Sequence, residues 1–418
     1  MKILLVNTSE RIGGAAIAAH RLMEALKRHG VSASMLVRDR QTQMLSVNAI
    51  PSTWMLPLKF LWERLVILLN NGFSMKRLWL VDIANTGTDI TTMPAFKQAD
   101  VIHLHWVNQG FLSLDNIQRI LSCGKPIVVT MHDMWYFTGI CHYASGCNRY
   151  QSRCTHCPQL NGQGLGRDLA RQVFERKLRM DASANLTFVG CSRWMAQNAA
   201  KSVLTRGHKV VNIPNAIDTD LFAPGDSEQA RRQLHLPLDK RLLLFGAQRI
   251  TDARKGFRYL AEACELIRKE QPDVAKQLAI VVVGADSAKV KDEIPLDVFP
   301  VSYVHEEEEI VKVYNAVDVY VTPSLQDNLP NTIVEAMACS TPCVGFEVGG
   351  IPEMIDHQQN GYVARYRNAS DFAHGILWTL DASRHNELAH QAREKALETY
   401  SEAAVARQYT AIYEQACQ

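Results

Sequence analysis

The sequence lacks most of the features that would commit it to a specialised class. Across 418 residues the formal net charge is only +2, so no global field favours nucleic acid as a partner. No internal repeat is visible, which excludes solenoid and propeller architectures. No apolar run is long enough for a membrane span. The nearest, 54–69, is broken by Lys59, Glu63 and Arg64, and is too short and too charged to cross a bilayer. The spaced glycines of a dinucleotide fingerprint are missing, which argues against a nicotinamide-dependent oxidoreductase. No Asp-x-Asp pair stands at a strand end, since Asp218-Thr-Asp220 lies in a connecting segment. The first strand begins beside Met1, leaving no room for a signal peptide and setting the expectation of a cytoplasmic protein.

What is present reads as an enzyme of two α/β domains. The chain is too long for one ordinary core, and its 47% hydrophobic content can fill buried parallel sheets. Apolar runs predict strands over 2–7, 32–37, 100–105, 126–131, 186–190 and 209–213, with a helix over about 15–28. A break at 214–224 is followed by strands over 241–246, 278–284, 301–304 and 317–322. A last helix covers about 402–417.

Chemistry concentrates in Pro323-Ser-Leu-Gln-Asp327-Asn-Leu-Pro-Asn331-Thr-Ile-Val-Glu335-Ala-Met-Ala338. A buried strand runs into a polar loop and then a helix starting near Asn331, so two carboxylates, Asp327 and Glu335, sit where an open α/β sheet presents ligands. The helix start can receive phosphate or hydroxyl oxygens, and the carboxylates can accept hydrogen bonds from a polyhydroxylated ligand. That combination suits a nucleotide sugar. Gly13-Gly14 closes the first strand–loop and lets the backbone approach a diphosphate, although a plain strand–helix turn would use the same residues. Arg249 and Lys255, just beyond the first strand of the second half, could neutralise a departing nucleoside diphosphate without a metal. His132 follows the strand 126–131 and could bond a sugar hydroxyl or act through its carbonyl; a satisfied core histidine is the alternative. His103 and His105 share a strand face and either line an acceptor cleft or are buried and hydrogen-bonded. The run Glu306–Glu309 reads as the acidic first turn of a helix.

The segment 323–338 resembles the acidic-x7-acidic signature of the retaining glycosyltransferases of family four, with Asp327 where that family usually has Glu and Glu335 matching. Thr341-Pro-Cys-Val-Gly-Phe-Glu-Val-Gly-Gly350-Ile-Pro-Glu-Met-Ile355 and Asn360-Gly361-Tyr362 also match, while Ser340 replaces a common Gly. The resemblance implies the GT-B fold: two Rossmann-like, doubly wound domains facing across a cleft. An acceptor-binding domain would span 1–214 and a nucleotide-sugar-binding domain 225–395, with a helix at 396–418 crossing back to the first domain. It implies a transferase of hexosyl type, metal-independent, moving a sugar from a nucleoside-diphosphate donor to a glycan or polyprenyl-linked acceptor. Surface polysaccharide biosynthesis at the inner face of a membrane is the family-level setting.

By the same resemblance His132, Arg249, Lys255 and Asp327 are catalytic. Gly13, Gly14, Arg249, Lys255, Asn328, Leu329, Pro330, Asn331 and Glu335 would hold the donor, with Glu335 on the ribose hydroxyls. No carboxylate announces itself as a nucleophile, so retention would proceed by front-face attack, the leaving phosphate taking the acceptor's proton as the domains close. Two rivals stay open. A sugar-nucleotide epimerase would need first-domain acid–base carboxylates that are not identified. A non-catalytic glycan-binding relative is favoured by Asp327 in place of Glu and opposed by Arg249, Lys255 and Glu335.

Two segments stand outside this frame. Of ten cysteines, Cys141, Cys147, Cys154 and Cys157 cluster; a structural zinc, reduced packing thiols and a disulfide are all open. The segment 54–69 is either a helix resting on a membrane surface near a lipid-linked acceptor or a helix packed on its own domain, the commoner use of an apolar face.

Overall fold

A computed structural model describes residues 1–160, 168–180, 185–302, 304 and 306–418. The chain forms two compact units, one of residues 1–214 with 405–418 and one of residues 215–404.

The first unit is built on a seven-stranded sheet of β1 (Lys2–Ser9), β2 (Ser32–Asp39), β3 (Val47–Ala49), β4 (Val101–Leu104), β5 (Ile127–Met131), β6 (Leu186–Gly190) and β7 (Lys209–Asn212), in the order β3-β2-β1-β4-β5-β6-β7. Every pairing is parallel. Strands covered on both faces read as unbroken apolar runs, and Ile127-Val-Val-Thr-Met131 is buried at all five positions. The sheet winds outward from β1 to β3, then resumes on the other side at β4. The carboxyl ends of β1 and β4 therefore flank the switch point where ligands bind in such sheets. Helix α1 (Gly14–Arg28) follows β1 directly.

The second unit repeats the plan with β8 (Arg241–Arg249), β9 (Leu278–Ala285), β10 (Asp297–Val301), β11 (Val319–Thr322), β12 (Cys343–Phe346) and β13 (Gly361–Ala364). Their order is β10-β9-β8-β11-β12-β13, again all parallel, so the switch point lies between β8 and β11.

Four expectations are corrected. The strand placed over 301–304 is β10 at Asp297–Val301, where Pro300 is tolerated because β10 is an edge; Tyr303 lies outside the described residues. The segment 215–224 is part of the second unit rather than a free linker, with Ala216, Ile217 and Phe222 buried. Residues 396–404 also stay with that unit: the Ile217 N–H donates to the Tyr400 carbonyl at 2.8 Å, and return to the first unit begins at Val405, inside the helix Glu402–Ala416. Lastly, β4 ends at Leu104, leaving His105 just beyond it.

Candidate active site

In the second unit the two loops leaving β8 and β11 lock together. Lys255 donates to the Asp327 carboxylate at 2.7 Å, with both side chains largely shielded. Asp327 also accepts the Asn328 N–H at 3.1 Å and the Ser324 hydroxyl at 3.5 Å. Leu325 N–H bonds the Arg254 carbonyl at 2.6 Å. Two glycines permit this approach. Gly256 (φ +71°) lies against the Pro323 carbonyl and Gly349 (φ +60°) against the Asp327 carbonyl, where a Cβ would sit 1.8 and 1.7 Å from oxygen. Both positions also require the left-handed conformation that glycine adopts without penalty.

Arg249 ends β8 after a register shift that begins at Gly246, and its side chain is exposed. Its field helps hold Asp286 ionised, behind the closer Lys289. The helix Asn331–Ala338 follows Pro330 without a side-chain cap. Glu335 on that helix is 6% exposed, and its carboxylate accepts the Tyr314 hydroxyl at 2.8 Å. Burial, then the adjoining Glu335 charge, pushes the Tyr314 hydroxyl well above its usual range, so it remains a donor. Asn331 Oδ1 takes a bond from Asn215 at 2.9 Å; Asn328 and Leu329 are buried beside it. Lys255, Asp327, Asn328, Leu329, Pro330, Asn331 and Glu335 thus gather on two adjacent loops and one helix of one unit, with Arg249 at the end of the strand that leads into the first loop. Glu307–Glu309 occupy the first turn of the helix Glu307–Ala316, as the acidic run implied.

In the first unit, Gly13 (φ +94°) precedes α1, which starts without a side-chain cap and with no acidic residue in its first turn. Nothing lies within 4 Å of where a Gly13 Cβ would stand. The preceding Glu10 is buried and accepts the backbone N–H groups of Gln41 (2.6 Å) and Thr42 (2.8 Å). Burial raises its pKa, but bonds to Thr42 and Gln41 outweigh this and lower it overall.

The histidines pack ring against ring but bond in two separate networks. His105 Nδ1 meets His132 Nε2 at 2.9 Å, and His132 Nδ1 lies 3.6 Å from Cys191 Sγ. His103 bonds the Tyr413 hydroxyl and Thr130, each at 2.7 Å, and Thr130 bonds Tyr409 at 2.9 Å. Burial drives all three imidazoles down, His103 to about 3 and His132 to about 4, so they are neutral at physiological pH. His103 and His105 are therefore interior hydrogen-bonding groups and not cleft-lining ones. Both ring nitrogens of His132 have neighbours within the unit, and the residue is half-buried. Asp133 serves as a clamp, accepting Trp106 Nε1 (2.8 Å), His142 Nδ1 (2.7 Å) and the Trp135 N–H (2.8 Å).

The four clustered cysteines line one small cavity of about 20 Å³, room for roughly one water-sized atom. The Gly139 N–H points at Cys154 Sγ, 3.3 Å away. A bond from Cys141, reinforced by the Gln159 and Leu160 N–H groups, brings Cys157 down to about 7 against the opposing effect of burial. Among the described residues no three metal-ligating side chains converge on one point; a zinc ion would have to draw these sulfurs inward from the cavity wall.

Sequence reasoning missed Tyr314, Tyr409, Tyr413 and the buried carboxylates Glu10 and Asp82. Each works through partners distant in sequence or through the backbone, and none carries a local motif.

Comparison with known proteins adds a second line of evidence. A family model described as Glycosyltransferase Family 4 matches residues 12–221, and one described as Glycosyl transferases group 1 matches residues 239–382. The chain is 32% identical over 200 residues to a D-inositol 3-phosphate glycosyltransferase of Stackebrandtia nassauensis, covering 45% of each chain. It spans about half the length of the curated relatives it matches. Among solved structures, sucrose-phosphate synthase from Thermosynechococcus elongatus superposes with a TM-score of 0.69 at 20% identity, over 99% of both chains. Anabaena HepE in complex with UDP gives 0.63 at 16% identity, over 99% of this chain and 100% of its own. At these identities the likeness speaks for the GT-B fold alone.

Proposed function

The chain belongs to glycosyltransferase family 4, and from that premise we propose that it moves a sugar from a nucleoside-diphosphate donor to a hydroxyl acceptor with retention of anomeric configuration. The observation that carries this is the pairing of Lys255 with Asp327 at the β8/β11 switch point, beside Arg249 and the start of the helix Asn331–Ala338. An arriving diphosphate adds a second anion to an ammonium already held in place, and Arg249 supplies a second cation. Glu335, oriented by Tyr314, takes the ribose hydroxyls. HepE, which shares the fold, was crystallised with UDP, with UDP and glucose, and with UDP-glucose, and this supports a donor of that class.

In the reaction the bond from the anomeric carbon to the diphosphate oxygen breaks as the bond from the acceptor oxygen to the same carbon forms. The acceptor's proton passes to the departing phosphate oxygen. The chain contributes position and charge rather than a base. By the family resemblance Gly13 and Gly14 are assigned to the donor and His132 to the transferred sugar, through its ring or its carbonyl. We take the acceptor to be a glycan or a polyprenyl-linked sugar of a surface polysaccharide. The Stackebrandtia relative, named for inositol phosphate, makes small phosphorylated acceptors the alternative to assay alongside.

Titrating the full chain with UDP, GDP, ADP and their sugars, with and without chelator, tests the donor reading. One nucleoside diphosphate should raise the melting temperature whether or not chelator is present. Arg249→Ala and Lys255→Ala should each weaken its binding roughly tenfold or more, and NMR of the product should show the donor's anomeric configuration. No response to any nucleotide would mean a non-catalytic relative, turnover without acceptor an epimerase, and an inverted product would end the retention mechanism.

A structural zinc at Cys141, Cys147, Cys154 and Cys157 is a separate proposal, supported by their sharing one cavity. Metal analysis of the purified chain should find one zinc, and chelation should lower the baseline melting temperature while the nucleotide response persists. A metal-free chain with unchanged melting behaviour overturns it.

A further inference from the structure

Helix α2 (Met55–Asn70) carries apolar side chains on its outer side as well as its inner one. Its buried side carries Glu63, Arg64, Ile67 and Asn70. Arg64 reaches Asp82 at 2.8 Å, and Glu63 accepts the N–H groups of Ile83 (3.2 Å) and Ala84 (2.7 Å). This anchors the helix through ion pairs and hydrogen bonds. Its outward side shows Leu58, Leu61, Trp62 and Leu65, each 44–58% exposed, at the spacing that aligns side chains along one helical face. Trp54 continues the stripe before the helix at 78% exposure, and Phe73, Met75 and Trp79 extend the apolar surface after it at 53–68%. Ile67 joins the domain's core and Leu56, Val66 and Leu68 pack against it, so the helix is packed on its own domain and carries a second apolar surface outward.

Exposed large hydrophobic residues elsewhere are scattered singly, as is ordinary for a soluble surface. Among the described residues nine of sixteen fall between positions 54 and 79, a concentration that marks an interaction surface. The surface is backed by ring and cation–π contacts. The Arg64 guanidinium lies 5.4 Å from the Trp79 ring centroid and 5.9 Å from that of Phe60, and those two rings stack at 6.1 Å.

We propose that this face docks on an anionic lipid bilayer, lying in its headgroup region. Charge selects that occupant. Glu63 is the only acidic residue between positions 51 and 79, and it is fully buried, so this segment exposes no negative charge. Lys76 is exposed beside it and Arg77 half-exposed, the sign that anionic headgroups attract. Tryptophan at both ends of the stripe matches the amphipathic ring's preference for the membrane–water boundary. No helix among the described residues is long and apolar enough to cross a membrane, so the contact is peripheral. The inference stands on these residues and does not depend on the sugar-transfer reading.

Flotation of the full chain with vesicles of phosphatidylcholine plus phosphatidylglycerol, against vesicles of phosphatidylcholine alone, tests it. The chain should float with the anionic vesicles, with a blue shift of tryptophan emission. A Leu58→Ser/Leu61→Ser/Trp62→Ser variant should lose binding roughly tenfold or more while keeping its melting temperature, since the changed side chains point away from the core. Lys76→Glu should weaken anionic binding alone. Failure of the unchanged chain to float, or equal flotation of the triple variant, overturns the proposal. A dimer in size-exclusion chromatography that the triple variant abolishes, with no flotation, would assign the face to a second copy instead.

Discussion

Ser340 holds a left-handed backbone, φ +60°, directly after the helix Asn331–Ala338 and its cap Cys339. Helices often end this way, and glycine is the usual occupant because a Cβ is crowded there. Ser340→Gly should therefore stabilise the protein by about 0.5–1 kcal/mol, the relief of strain being partly offset by glycine's greater freedom in the unfolded chain. A rise in melting temperature of roughly 1–3 °C is expected, with Ser340→Ala giving none; a fall for the glycine variant would show that the serine side chain contributes more than its backbone loses. Asp327 shows the opposite side of the same scale. Standing where the family usually has Glu, its carboxylate is ion-paired with Lys255, 72 positions away in sequence. No reading of nearby residues could have supplied that partner.

Elements were legible where burial on both faces writes itself into a continuous apolar run. The strands at Ile127–Met131, Leu186–Gly190 and Leu278–Ala285 lie within a residue of where such runs placed them. Those not anticipated are short: Val47–Ala49 has three residues and Cys343–Phe346 and Gly361–Ala364 four each, too few to display a period. Helix α2 was legible as an element but not in its orientation. Periodicity locates an apolar stripe but does not say which side of the helix faces protein; here Glu63, Arg64 and the distant Asp82 form a buried polar cluster that, with Ile67, fixes the inner side. Burial, reinforced by the neighbouring Asp82 charge, pushes Glu63 well above the usual carboxylate range, while Asp82 stays ionised against its own burial, with Arg64 as the main counterweight. In the candidate site, motif spacing singled out Arg249, Lys255, Asp327 and Glu335, which lie on β8, the helix Asn331–Ala338 and the loops beside them, whereas Tyr314 as the partner of Glu335 depends on a tertiary contact between two helices.

At the scale of the molecule, the order of the chain and the order of the units do not coincide. The last fourteen residues, 405–418, belong with the first 214. They fill the first unit's core with Val405, Tyr409 and Tyr413, whose hydroxyl-bearing members complete the bonding of Thr130 and His103. Asn185 adds a bond to the Ala416 carbonyl at 2.6 Å. Removing a buried aromatic side chain costs about 3–5 kcal/mol, and each buried polar group left without its partner about 1–3 kcal/mol more. Two aromatics and two such groups together reach the whole stability of an ordinary domain, about 5–15 kcal/mol. A chain ending at Ala404 should therefore lose the first unit's unfolding transition in calorimetry. The second unit, whose core of β8, β9, β11 and β12 residues is its own, should keep its transition and its stabilisation by the nucleoside diphosphate that the full chain binds. Tyr413→Phe, removing one hydroxyl from His103, should lower only the first transition, by a few degrees. Two intact transitions in the truncated chain would show that the return of the C-terminal helix is not needed for the first unit to fold; loss of both would show that the units unfold as one.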